Sequence, residues 1–227
     1  MNILVVAAHP DDEVLGMGGT LCKHSNNGDE IHVLFTSDGV TGRDYNYNPI
    51  KRKNEIDERK KMAEKASEKY KASSVQFLGY PNLRLDQESI LEITKDIEKL
   101  IFKYSPDIVY SHHSNDTNID HRITSEATVF ACRPVPGSPI KAIRLFEIPS
   151  STEYSHSSIG SLFEPNCFSD ISEYFGLKIE MLKDYKYEMR DFPHPRSKKA
   201  IESRDNYRGA SVGISYAEAF VQIRKIF

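Results

Sequence analysis

The chain is poor in cysteine. Its 227 residues hold three, Cys22, Cys132 and Cys167. They are scattered, odd in number and lack a C-x-x-C pair. A disulfide framework or a cysteine zinc site is therefore not expected, and a reducing compartment fits. Long hydrophobic runs are missing as well. No stretch approaches the ~20 apolar residues that span a bilayer. The N-terminus has no positive segment ahead of its short apolar run, so a signal peptide is not expected either. The expectation is a cytoplasmic protein without a membrane span. Charge of one sign is also lacking. With 30 basic and 33 acidic residues the net charge is −3, which excludes nucleic acid as a default partner. The one basic run, "KRKNEIDERKK" from Lys51, is interrupted by acids and reads as a solvated helix face. There is no repeat and no low-complexity tract.

What is present suits a single domain with a sizeable core. Short apolar, β-branched runs predict strands at Ile3–Ala8, Ile31–Thr36, Val75–Leu78, Ile108–Tyr110 and Ala142–Phe146. Helical spacing predicts helices over Val14–Asn26, Arg52–Tyr70, Glu88–Tyr104 and from about Arg122. This alternation argues for an α/β fold, a Rossmann-like, mostly parallel sheet with helices on both faces. Beyond about Ser150 the pattern is less regular. Helices are expected at 176–190, 197–207 and 216–226, so residues 150–227 read as a helical and loop lobe packed on a 1–149 core within one domain.

The polar clusters follow the strands. "AAHPDDEVLGMGG" runs from Ala7 to Gly19, "SDGVTGR" follows strand two, and "SHHSNDTNIDHR" follows strand four. All three fall beyond the carboxyl edge of the sheet, where such folds bind ligands. Asp11, Asp12 and Glu13 are adjacent acids that repel one another. A helix cap at Asp12 would explain one of them. A dinucleotide fingerprint fails, because Gly16, Gly18 and Leu21 break the pattern and acids would repel a phosphate. A cation explains more. His9 and Asp12 lie three apart across a tight turn, and zinc accepts both donor types. A third ligand would come from His112, His113, Asp116, Asp120 or His121, and His121 can reach back from the start of the next helix.

These residues resemble a family. "AAHPDDE" with a later "DH" after the fourth strand is similar to the zinc-dependent N-deacetylases of the LmbE / PIG-L type, which act on N-acetylglucosamine compounds. "SPDIVYSHHSNDTNIDHR", "ERKKMAEKASEKYKASSVQFLGYPN" and the C-terminal "SVGISYAEAFVQIR" extend the resemblance over most of the chain. The resemblance implies an LmbE-like fold and hydrolysis of an N-acetylated sugar or glycoconjugate to a free amine and acetate. It implies one Zn2+ per chain on His9, Asp12 and His121. Asp11 would be the general base, and Asp120 would steer a ligand histidine. Arg59 matches an arginine that holds substrate hydroxyls, with His113 and Asp116 expected beside the substrate. Many members carry a histidine where this chain has Asn118. An amide donates a hydrogen bond but no proton, so His194 in "FPHPRS", His113 or Asp11 itself would be the general acid.

Two other readings stay open from the sequence: a non-catalytic metal- or sugar-binding module, and an amidase acting on a sugar–thiol conjugate. The individual N-acetyl substrate, the choice of Zn2+ over Fe2+ and assembly into a homo-oligomer are not set by these residues.

Overall fold

A computed structural model describes residues 1–227. Seven strands form one sheet: β1 Asn2–Ala7, β2 Glu30–Ser37, β3 Ser74–Tyr80, β4 Ile108–His112, β5 Ala142–Phe146, β6 Cys167–Asp170 and β7 Ala217–Lys225. Six helices accompany them: α1 Asp12–Asn26, α2 Lys53–Lys69, α3 Ile90–Tyr104, α4 Ile119–Ala131, α5 Phe175–Leu182 and α6 Lys198–Ala210. The strand order is β3-β2-β1-β4-β5-β7-β6. The first five strands pair in parallel, and β7 runs antiparallel to both β5 and β6.

β1 is central because its side chains are apolar on both faces. Ile3, Val5 and Ala7 pack with residues of α1, α2 and α5, whereas Leu4 and Val6 pack with those of α3 and α4. A strand buried on both faces reads as a continuous apolar run, which "ILVVA" is. α3 shows how the helices are punctuated. The Ser89 side chain accepts from the Glu92 N–H, Ser105 takes the left-handed conformation, and Pro106 follows. Its apolar stripe of Ile93, Ile97 and Leu100 faces the sheet.

The segment 216–226, expected as a helix, is instead strand β7, and the structure corrects that expectation. Its apolar residues alternate between two cores: Phe220 lies in the one beneath α1, and Val221 packs against the one beneath α3 and α4. A short segment that is apolar on both sides carries no period that separates strand from helix. β6 was not anticipated. The helix expected over 176–190 is limited to Phe175–Leu182, and the one expected over 197–207 runs over Lys198–Ala210. Residues beyond 150 thus contribute two strands to the common sheet.

β1 is flanked by β2 on one side and β4 on the other. Connections leave these strands towards opposite faces, which opens a crevice at their carboxyl ends. The His9–Glu13 turn and the 112–121 loop both border it. The packing gives one expectation about stability. Ile97 is fully buried, and Ile97→Ala should cost about 2–5 kcal/mol, as large-to-small core changes do. Urea unfolding measures it, and a loss well below 1 kcal/mol would mean that the α3 face is loosely packed.

Candidate metal centre

β1 delivers the chain into a strained turn. Asp11 has a φ of 138°, a conformation that costs a non-glycine residue about 1–3 kcal/mol. Glu13 supports the turn. Its Oε2 accepts the Asp11 N–H at 3.1 Å, and its Oε1 accepts the Tyr185 hydroxyl. Burial pushes the Glu13 carboxyl up to about 8 against the Tyr185 hydrogen bond. The turn separates two adjacent acids. Asp12 points into the protein and is fully buried, while Asp11 lines the cleft.

Asp12 meets two imidazoles. Its Oδ2 lies 3.1 Å from His9 Nδ1 and 3.3 Å from His121 Nε2, and the two ring nitrogens are 3.2 Å apart. One ligand atom from each of His9, Asp12 and His121 lies within 4.8 Å of the others. Each imidazole is oriented from behind by a carboxylate. Asp120 Oδ2 is 3.0 Å from His9 Nε2, and Asp116 Oδ1 is 3.2 Å from His121 Nδ1. A carboxylate on the outer nitrogen fixes the tautomer and aims the inner lone pair at the centre. Asp120 is itself held by the Leu83 and Leu85 N–H groups, and Asp116 by the hydroxyls of Ser151 and Thr152.

Electrostatics follow from this enclosure. Burial opposes charge on His9, but Asp12 and Asp120 outweigh it and push the imidazole up to about 10. His121 is raised in the same way, burial being overcome by Asp12 and Asp116. Burial would raise Asp12, yet His121 and His9 hold it well below the usual carboxylate range. Asp116, despite burial, is drawn down to about 2 by His121. Asp11 behaves oppositely: burial lifts it to about 6, with Arg196 and Arg59 pulling the other way.

The residues fit a divalent ion. Asp12 Oδ1 is buried without any hydrogen-bond partner, an arrangement that costs on the order of 1–3 kcal/mol unless something else meets the oxygen. Two nitrogens and one oxygen, with a cleft in front, are the donor set of a zinc-class site that keeps an open position.

The other sequence candidates are placed as follows. His112 Nε2 accepts the Ala8 N–H at 2.8 Å, and its ring stacks on His121 at 4.1 Å. It backs His121 and does not join the cluster. Asp116 and His113, expected beside the substrate, do not line the cleft. Asp116 sits behind His121, and His113 bonds the Ser161 carbonyl from a buried position. His194 does not line it either, since its Nδ1 accepts from the Arg196 N–H within its own turn. Asn118 does. Its Oδ1 caps α4 by accepting the Asp120 N–H, which leaves the amide NH2 as the free donor. Arg59 lines the cleft with Nη1 unpartnered, 3.9 Å from Asp11.

Two residues of the cleft were missed from the sequence. Arg196 Nη1 is 2.9 Å from Asp11 Oδ2 and 3.1 Å from Glu188 Oε2. Glu188 in turn pairs with Arg59 at 2.6 Å and Arg43 at 3.3 Å. "FPHPRS" had drawn attention to its histidine, and the arginine two positions on was the residue that mattered to the cleft. Glu188 carries no local signal. The cleft measures about 240 Å³ and adjoins a second pocket of the same size, with Arg43, Arg59 and Glu188 lining both.

Comparison with known proteins adds the following. The profile of the GlcNAc-PI de-N-acetylase family, PIG-L, matches residues 4–132. A Bacillus cereus protein described as "Probable N-acetyl-alpha-D-glucosaminyl L-malate deacetylase 2" is 27% identical over 183 residues, covering 80% of each chain. The N,N'-diacetylchitobiose deacetylase of Pyrococcus horikoshii superposes with a TM-score of 0.77 at 22% identity, over 98% of this chain and 84% of that one. GalB, the 4-carboxy-2-hydroxymuconate hydratase of Pseudomonas putida, superposes with a TM-score of 0.76 at 21% identity, over 100% of this chain and 97% of that one. At such identities the superpositions establish the fold alone.

A direct expectation concerns metal content. His9→Ala and Asp12→Ala each remove one of the three donors that could hold a metal and should abolish stoichiometric uptake of a divalent ion, read by elemental analysis after dialysis. Full metal retention in both variants would place the ion elsewhere.

Proposed function

The chain belongs to the PIG-L family, and we propose that it is a metal-dependent amide hydrolase. It removes the N-acetyl group from an N-acetylated amino sugar or a conjugate of one and releases acetate. The observation that carries this reading is the His9–Asp12–His121 cluster, which meets the cleft at His9, beside a second acid, Asp11, that lines the same cleft and belongs to no part of the cluster. The relatives' names supply the substrate class. The fold by itself does not choose the chemistry, because the hydratase shares it.

His9, Asp12 and His121 would hold one zinc ion per chain. A zinc ion held there would supply a water of lowered pKa, about 7, and a Lewis acid for an amide carbonyl. Asp11 faces the cleft and takes the proton of the attacking water. Asn118 donates its amide N–H to the carbonyl oxygen as negative charge develops there. The leaving nitrogen then needs a proton. Asp11 returns the one it has taken, because no imidazole besides His9 lines the cleft. Arg196 and Arg59 hold the Asp11 carboxyl in place, and Arg59 keeps a free N–H for a substrate hydroxyl. His194 acts at one remove, by fixing the Arg196 turn.

The experiment is acetate release from a panel of N-acetylated sugars, nucleotide sugars and glycoconjugates, run on the zinc-loaded chain. Release from none of them would favour a non-catalytic binding module. Within that assay, Asp11→Asn should keep its metal and lose ~10²–10⁴ of turnover, the usual contribution of a general base. Undiminished turnover in that variant would take Asp11 out of the reaction.

His194→Asn discriminates between the two sources of the second proton, because its amide oxygen can take over from Nδ1 as the acceptor of the Arg196 N–H but cannot supply a proton. Its pH–rate profile should match that of the wild type, since Asp11 carries both transfers. If the basic limb shifts instead, His194 is the acid and moves into the cleft with substrate bound.

A further inference from the structure

Two stretches are not used by the site: the glycine run Gly16-Met17-Gly18-Gly19 and the C-terminal "SYAEAF", Ser215–Phe220. The fold packs them against each other. α1 is broken at Met17, where φ is −151° and ψ is 25°. In an unbroken helix the Gly19 N–H would donate to the Leu15 carbonyl and the Thr20 N–H to that of Gly16. Glu218 of β7 takes both amides instead, Oε1 from Gly19 at 3.0 Å and Oε2 from Thr20 at 2.7 Å. On the other side of the break, the Leu15 carbonyl accepts from Arg204 Nη2 of α6 at 3.3 Å. The C-terminal part of the chain thus supplies the partners that the helix lost.

Glu218 is buried, and burying a carboxylate is costly unless it is paired. Lys178 Nζ, fully buried on α5, lies 2.8 Å from Glu218 and 2.7 Å from Asp205. The positive end of the rear half of α1 faces the same carboxylate. The approach depends on glycine. A Cβ on Gly19 would stand 2.7 Å from the Ile171 Cβ, and one on Gly18 would stand 3.2 Å from Lys178 Cγ.

Ahead of the break, Asp12–Gly16 amounts to about one turn, which is too short to hold its own geometry. Asp12, the carboxylate of the metal centre, is its first residue. We propose that Glu218, backed by Lys178, is a positioning residue for Asp12. It caps the rear half of α1, and so sets the angle at which the front turn presents Asp12 to His9 and His121. This rests on the metal-centre reading above.

The test is zinc affinity of the metal-free full chain, measured by competition with a chromogenic chelator. Glu218→Gln keeps the side-chain shape but loses the charge that Lys178 meets and one of the two amide acceptors. Its zinc Kd should rise about tenfold or more, within the range seen when groups that orient metal ligands are removed. Arg204→Met, on the other side of the break, should weaken zinc binding in the same direction, and it carries the test if Glu218→Gln does not fold. Ile97→Ala, which lowers stability on the opposite face of the sheet, should keep wild-type affinity. Wild-type affinity in both Glu218→Gln and Arg204→Met would overturn the proposal. So would a loss of zinc in Ile97→Ala that keeps step with its loss of stability. Failure of the wild type to take up zinc would sink the metal-centre reading, and this inference with it.

Discussion

One buried carboxylate constrains the rest of the site. Asp12 has no exposed surface, and its Oδ2 is shared by the His9 N–H and the imidazoles of His9 and His121. An isolated carboxylate could not be buried there, because the desolvation cost of a lone charge far exceeds what a domain's net stability tolerates. The surrounding structure answers that cost in layers. His9 and His121 face the carboxylate, Asp120 and Asp116 stand behind the imidazoles, and backbone amides and hydroxyls hold those acids. Each layer is fixed by the next, so the inner nitrogens are aimed before an ion arrives. Such preorganisation is what separates a working site from a merely similar set of residues.

The two acids of the His-Pro-Asp-Asp turn are separated by backbone geometry. The unusual φ of Asp11 turns one carboxylate inward and leaves the other in the cleft. Their environments then diverge. Asp12 is held ionised by imidazoles, whereas burial lifts Asp11 towards neutrality with two arginines restraining it. Adjacent carboxyl groups driven apart in this way suit different tasks, one as a ligand and one as a carrier of protons. The strain is sustained because Glu13 and Tyr185 brace the turn from beneath.

The C-terminal third is part of this construction. It provides Glu188 and Arg196 to the cleft, Tyr185 to the turn and Glu218 to α1. The glycines after the turn permit the contact, since a Cβ on Gly19 would collide with Ile171 and one on Gly18 would crowd Lys178. A run that resembles a phosphate-binding loop in composition is here a close-packing surface between a helix and the far end of the chain.

Much of this was legible in the sequence. β1, the alternation that makes the sheet parallel, and the site edge follow from apolar runs and from polar clusters placed after them. Those signals are local, and the physics behind them acts over a few residues. His9 and Asp12 are readable for the same reason, being one turn apart. From spacing alone the partner from α4 was a choice among five candidates, and only the family resemblance singled out His121. Which of them closes the centre depends on where each side chain is held: the Ala8 amide occupies His112, and Ser161 occupies His113. The roles of Asp116, Arg196, Glu188 and Glu218, and the identity of β7 as a strand, were decided by tertiary structure alone. Each of these residues has at least one defining partner tens to nearly two hundred residues away, Ser151 for Asp116, Asp11 for Arg196, Arg59 for Glu188 and Gly19 for Glu218, and a segment apolar on both sides has no period of its own until the sheet places a core on each face of it.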